Sequence, residues 1–226
     1  MSRVVYSKPF WLLVIVALFI VGYVVYPRES TPSEVEPESI PAAKTVTDID
    51  GNVYKTIKIG NQTWMAENLR ATKLNDGQSI SYKSGALDWA SLSTPGYCWP
   101  DNDALNGEDY GALYNWYSVD SEKLAPEGWH VPTEDEWQTL IDYLGGEKVA
   151  GGELKKMNFT VNFAGVRTYS GEFGYIDEME KYWTATEGGW HAGDAWYYTV
   201  TKFDSELGKS SHMKMDGHSV RCMKDD

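Results

Sequence analysis

Apolar residues follow two regimes along this chain. From Phe10 to Tyr26 the sequence reads FWLLVIVALFIVGYVVY, with no charge and no strongly polar side chain. From Thr45 onward apolar positions recur in short stretches, with a period of two or of about 3.6, separated by glycine and polar clusters. A helix apolar on every side suits a bilayer or a buried core, and a place near the N-terminus followed by a polar linker favours the bilayer. Its seventeen residues would span roughly 25 Å, a little under the hydrocarbon thickness, with Tyr23 and Tyr26 at headgroup level. Gly22 to Pro27 offers none of the small-residue pattern of a cleavage site, so residues 10–26 are expected to be an uncleaved signal anchor. No cysteine follows the segment to carry a lipid. Arg3 and Lys8 precede it, whereas Arg28 stands against Glu29, Glu34, Glu36 and Glu38. The positive-inside bias therefore places residues 1–9 in the cytoplasm and the rest outside.

Residues 27–44 hold Pro27, Pro32, Pro37 and Pro41 among glutamates and serines and cannot build a core. They read as a semi-rigid spacer. Residues 45–226 are enough for one domain with a sizeable core. Its opening stretch, Asn52 to Glu67, alternates about Gly60-Asn61, a two-residue hairpin signal. Tyr110 to Val119 predicts a short helix with Leu113, Trp116 and Tyr117 on one face. Glu134 to Leu144 predicts the strongest helix. Thr133 and Glu136 form a capping box, Trp137, Leu140, Ile141 and Leu144 make the stripe, and Gly145 ends it. Strands are expected at Phe163–Tyr169, Lys181–Thr186, Ala195–Thr201 and Ser219–Met223. Strands and helices without regular alternation make the class α+β.

Ten Trp and fifteen Tyr are a heavy aromatic load, and every Trp except Trp11 lies beyond Thr45. Such a composition fits a core filled by few large side chains, with Trp137, Trp183 and Trp196 inside it. The chain carries a net charge of −13, and the residues before Thr45 hold four basic and four acidic groups, so the whole excess belongs to the domain. That disfavours nucleic acid as a partner and repels anionic lipid from the domain surface. The bilayer is engaged through the N-terminal helix alone.

The stretches VYKTIKIGNQTWMAENL, YGALYNWYSV, GWHVPTEDEWQTLIDYLGG, YWTATE, AWYY and HSVRCMKD occur in this order over essentially all of residues 45–226. In these the chain resembles the Fibrobacter succinogenes major paralogous domain. That family in turn resembles formylglycine-generating enzymes and the C-type lectin-like fold, partly through Pro132, Thr133, Glu136 and Trp137. The resemblance implies a lectin-like α+β domain of short antiparallel strands, two main helices and long loops. It implies an extracytoplasmic bacterial protein and no general activity. Ala125, in LAPEGWHVP, stands where relatives are expected to carry cysteine.

Cys98 and Cys222 are the only cysteines. In an oxidising compartment they either form a bridge or stay as two buried thiols. The copper-bound cysteine pair of formylglycine-generating relatives needs two thiols in one cleft, which this composition does not favour. Asp101, Asp103, Asn106, Glu108 and Asp109 crowd into DNDALNGED, a density of oxygens that suits Ca²⁺, yet the spacing is not that of an EF-hand. A calcium site at Asp101, Asp103, Asn106 and Asp109 and a polar loop of Asx turns are the two readings. His130, His191, His212 and His218 lack zinc or triad spacing. His130, before the helix cap, reads as a structural hydrogen-bonding group. In EGGWHAGDAW the glycines predict a loop from which Trp190, His191 and Asp194 project towards a sugar or peptide, against the plainer reading of a hairpin loop with one aromatic folded inward. Glu134, Asp135 and Glu136 suit the helix dipole better than glycosidase chemistry. No catalytic constellation emerges, and no cofactor beyond a possible Ca²⁺ is expected. The expected function is a membrane-anchored, extracytoplasmic, by default periplasmic, binding module for glycan or protein. A structural part of an envelope protein assembly is the alternative.

Overall fold

Gly60, at φ 59°, reverses the chain between two strands whose register brings Ile59 opposite Gln62. The computed structural model describes residues 44–225, so the anchor expected at 10–26 and nearly all of the spacer lie outside the described residues. Among the described residues no helix is long and apolar enough to cross a membrane. All of them fall in one compact unit.

In chain order the elements are β1 (Thr45–Thr47), β2 (Val53–Ile59), β3 (Gln62–Met65), β4 (Ser81–Tyr82), α1 (Ala86–Ala90), β5 (Gly96–Cys98), a 3-10 turn at Pro100–Asn102, α2 (Ala104–Tyr110), β6 (Leu113–Tyr114) and α3 (Trp116–Asp120). Then follow β7 (Trp129–His130), α4 (Glu134–Tyr143), α5 (Glu147–Lys156), β8 (Val166–Arg167), β9 (Phe173–Gly174), β10 (Met179–Glu187), β11 (Asp194–Thr201), β12 (Leu207–Met213) and β13 (Met223–Lys224). One antiparallel sheet runs β1-β2-β3-β13-β7 and ties the two ends of the domain together, with Met223 opposite both Trp64 and His130. A second runs β10-β11-β12, and two small sheets, β4-β5-β6 and β8-β9, complete an α+β fold of mainly antiparallel pairs.

The aromatic load explains how so short a set of strands holds a core. Trp137 on α4 is fully buried, 4.8 Å from Trp64 and 5.4 Å from both Tyr182 and Tyr198 by ring centroids. Burying each such side chain is worth about 1.5–3 kcal/mol. The capping box of α4 forms as expected, with Glu136 N donating to Thr133 Oγ1 and Thr133 N to Glu136 Oε2. Buried charge fixes the loops around this core. Glu180 accepts from Asn162 N at 3.0 Å and Phe163 N at 3.1 Å, and Arg221 donates to Asn68 Oδ1 at 2.7 Å while lying over the Phe159 ring.

Two expectations are corrected, and one strand has no counterpart among those expected. Tyr110–Val119 is not one helix. Gly111 takes φ 80°, and a Cβ there would lie 2.6 Å from the Asn68 Cβ, so the chain leaves α2, forms β6 and restarts as α3 under an Asn115 cap. The second main helix is α5 instead. It carries Gly151 and Gly152, ordinarily poor helix residues, because the β11–β12 loop passes directly against them: a Cβ on Gly151 would meet Glu206 O at 2.4 Å. Strand β12, which reads LGKSSHM, is largely polar and so lacks an apolar signal, yet it pairs along its whole length with β11.

Candidate functional site

Arg70 follows β3 in a segment held from both sides, where Leu69 N donates to Val220 O at 2.9 Å and Ala112 N donates to Leu69 O at 3.0 Å. The guanidinium lies over the ring of buried Tyr54, 4.8 Å from its centroid. Tyr54 is itself fixed, since its hydroxyl accepts from Arg70 N at 3.0 Å and donates to Asp48 at 2.6 Å. Planar cations stack well on aromatic faces, so the side chain is positioned before any ligand arrives. One guanidinium N–H reaches Val53 O at 3.4 Å. Among the described residues Arg70 forms no ion pair, and neither do Glu67, Glu108 or Asp109.

Helix α2 makes another wall of the recess that Arg70 lines. Asp103 caps it by accepting from Leu105 N at 3.0 Å. Gly107 packs on Trp99 so closely that a Cβ would lie 2.4 Å from the indole, so only glycine admits the helix here. Tyr97 meets the same indole edge-on at 5.2 Å. Beneath it Asp101 and Asn102 take left-handed φ values of 53° and 57°, a strained pair held in part by Asn102 Nδ2 donating to Ser84 O. Strain of this kind persists only where surrounding contacts impose it and clusters at sites.

Between the walls lies a cleft of about 700 Å³ whose lining includes Asn52, Arg70, Thr72, Trp99, Glu108 and Asp109. A recess of about 100 Å³ continues past Arg70 to Glu67, Asn68 and Asn162, sharing Arg70, Glu108 and Asp109 with the cleft. Asp50, at the margin, is already satisfied by Thr72 N at 2.6 Å and Lys73 Nζ at 2.8 Å. Burial acts to raise its pKa, but these contacts outweigh it and hold the carboxyl below its ordinary range. No histidine, serine or cysteine lines either recess. The arrangement is suited to holding a polar ligand against an indole.

Asp101, Asp103, Asn106 and Asp109 surround one wall of this cleft but are put to separate uses. Asp103 is the helix cap, Asn106 Nδ2 donates to Pro100 O, and Asp109 alone of the four lines the cleft. Among the described residues no three His, Cys, Asp or Glu side chains are grouped to hold a metal ion.

The loop Gly188–Gly193 places Trp190 at 70% exposure, edge-on to Trp196 at 5.4 Å. Asp194 does not project: it is buried and accepts from Ser211 Oγ at 3.1 Å and His191 N at 3.2 Å, shaping the loop. Trp196 is half-buried under Lys209 and is no core residue, while Trp137 and Trp183 are fully buried. His130 bridges Asp225 at 2.6 Å and Glu136 at 2.9 Å, and these carboxylates raise its pKa to about 9. His212 pairs with buried Asp216 at 2.5 Å, and His218, fully buried, keeps Nε2 unpartnered 3.8 Å from the same carboxylate. Cys98 and Cys222 are both free and buried, in different clusters of the core.

The family model of the Fibrobacter succinogenes major domain matches residues 57–224. The chain belongs to this family. No curated protein and no solved structure matches it. Within the Fibrobacter succinogenes major domain of this chain fall Arg70, Thr72, Trp99, Gly107, Glu108 and Asp109, whereas Asp50 and Asn52 precede the matched residues. No local pattern in the sequence joins the residues of the Arg70 cleft, unlike the clustered carboxylates and the tryptophan loop. The available signal was a lone arginine in ENLRAT, since Arg167 and Arg221, the other arginines beyond Thr45, are fully buried.

Proposed function

We propose that this chain is a membrane-anchored, extracytoplasmic binding module that takes its ligand, glycan or protein, in the Arg70 cleft. The observation that carries the reading is a guanidinium laid on a buried tyrosine ring, without a carboxylate partner, at the junction of two recesses. A cation so placed offers paired N–H donors in a fixed plane, and Trp99 and Asn52 add an apolar surface and an amide. Sugar hydroxyls and peptide groups both answer that description.

The scaffold belongs to the same reading. Short antiparallel strands, two ten-residue helices and long loops agree with a C-type lectin-like architecture. The apolar stretch at residues 10–26 supplies the tether. The spacer at 27–44, at about 3 Å per extended residue, limits the domain to tens of ångströms from the bilayer. A partner inside the periplasm and near the membrane is favoured over one outside the cell. A degenerate formylglycine-generating enzyme is disfavoured, because Cys98 and Cys222 share no cleft.

The test is a screen of the full chain, in detergent micelles, against a glycan array and an envelope protein extract. Binding that disappears with Arg70→Gln, while the near-UV circular dichroism is unchanged, is the expected result. Binding indifferent to that substitution would move the ligand elsewhere and end this reading.

A further inference from the structure

The Arg70 cleft is lined by charges of opposite sign that, among the described residues, leave one another unpaired. Among the described residues Arg70 has no ion pair, and the carboxylates of Glu108 and Asp109, which line both recesses with it, have neither an ion pair nor a hydrogen bond from another side chain. Lys73, the nearest ammonium along the chain, is already held by Asp50 at 2.8 Å. A purely anionic ligand would meet Glu108, Asp109 and the acidic excess of the whole domain. A purely cationic one would meet Arg70. A small molecule carrying both charges would neutralise both walls at once.

We propose that the cleft binds a small zwitterion of the α-amino acid type, its carboxylate on the Arg70 guanidinium and its ammonium between Glu108 and Asp109. This deepens the binding-module reading and rests on it. The guanidinium plane matches a carboxylate with two parallel hydrogen bonds, whereas an ammonium is satisfied by point charges on several oxygens. The indole of Trp99, which lines the larger recess, receives the ligand's apolar side chain. The cleft is far larger than an amino acid, so a longer molecule ending in this group is accommodated as well.

Isothermal titration of the full chain with each standard amino acid, in both configurations, tests the proposal, alongside N-acetylated and carboxamide forms of the same compounds. At least one unmodified amino acid should bind, and removing either charge should weaken it tenfold or more. Arg70→Gln should abolish that binding, and Glu108→Gln with Asp109→Asn should weaken it tenfold or more at an unchanged unfolding midpoint. The proposal is overturned if no amino acid binds, or if a derivative lacking one charge binds as well as its parent. Glycan or protein binding that depends on Arg70, without any amino acid binding, overturns the zwitterion and leaves the cleft in place. Loss of both defeats both readings.

Discussion

His130 joins the helix that the capping box starts to the last strand of the domain. Its ring nitrogens face Glu136, which is also the reciprocal member of the cap, and Asp225 beyond β13. Glu136 and then Asp225 raise its pKa from 6.5 to about 9, against the opposing effect of burial. A group protonated more readily in the folded state stabilises the fold fully below its unfolded pKa and loses that contribution as pH rises. The advantage of the native protein over His130→Gln should therefore be greatest below pH 6.5 and fade as pH passes about 9. Urea midpoints measured across that range check this, and a constant difference would assign His130 a packing role only. His218 works in the other direction: burial, reinforced by Lys181, keeps it neutral, so its contribution weakens as pH falls below 6.5.

Arg167 presents a different residue-scale problem, a fully buried cation with no ion pair among the described residues. It is held between the rings of Trp89 and Phe173, each 4.7 Å away, and donates to the carbonyls of Gly171, Lys83 and Ser84. Those carbonyls close the β8–β9 turn onto the segment before α1. Arg167→Met keeps the apolar stem but leaves the Gly171 and Lys83 carbonyls without that donor, Ser84 O keeping Asn102 Nδ2, and each unpaired buried group costs about 1–3 kcal/mol. A loss of at least about 2 kcal/mol in urea unfolding is expected, and a loss near zero would mean that water reaches these carbonyls.

At the scale of elements, legibility followed whether the reason for an element lay inside its own residues. The first hairpin and α4 were readable because Gly60, Thr133, Glu136 and the Trp137 stripe act on near neighbours. Helix α5 was not, because Gly151 and Gly152 suit only the close approach of a loop from elsewhere in the chain, with Gly152 N donating to Ser205 O at 3.0 Å. This gives different expectations for similar substitutions. Gly151→Ala removes a poor helix former yet drives a Cβ into Glu206 O, and should destabilise by about 1–3 kcal/mol. Gly208→Ala, with nothing within 4 Å of its Cβ, should change stability by less than about 0.5 kcal/mol. Thermal unfolding of the two variants side by side checks the pair, and a stabilised Gly151→Ala would show that the β11–β12 loop moves aside freely.

At the scale of the whole molecule, the cleft was hidden because its parts come from the β1–β2 turn, the chain after β3, the turn after β5 and α2, and no local pattern joins them. The same non-locality decides the cysteines. Closing a loop of roughly 100 residues with a disulfide would add about 4 to 5 kcal/mol by the chain-entropy model. Cys98 instead packs with Trp89, Leu92 and Leu113, while Cys222 sits with Tyr54 and Met65. Burial pushes the Cys98 thiol up to about 12 although Arg167 opposes it, and pushes Cys222 higher still. Thiolates are the reactive species, so both side chains should resist alkylation in the native protein and react fully in denaturant. Because no covalent link constrains the unfolded chain, the unfolding midpoint should be the same in dithiothreitol and in oxidised glutathione. A midpoint raised under oxidation, with alkylation blocked after unfolding, would instead mean that the chain pairs these thiols, and that stability rests on a staple as well as on the aromatic core.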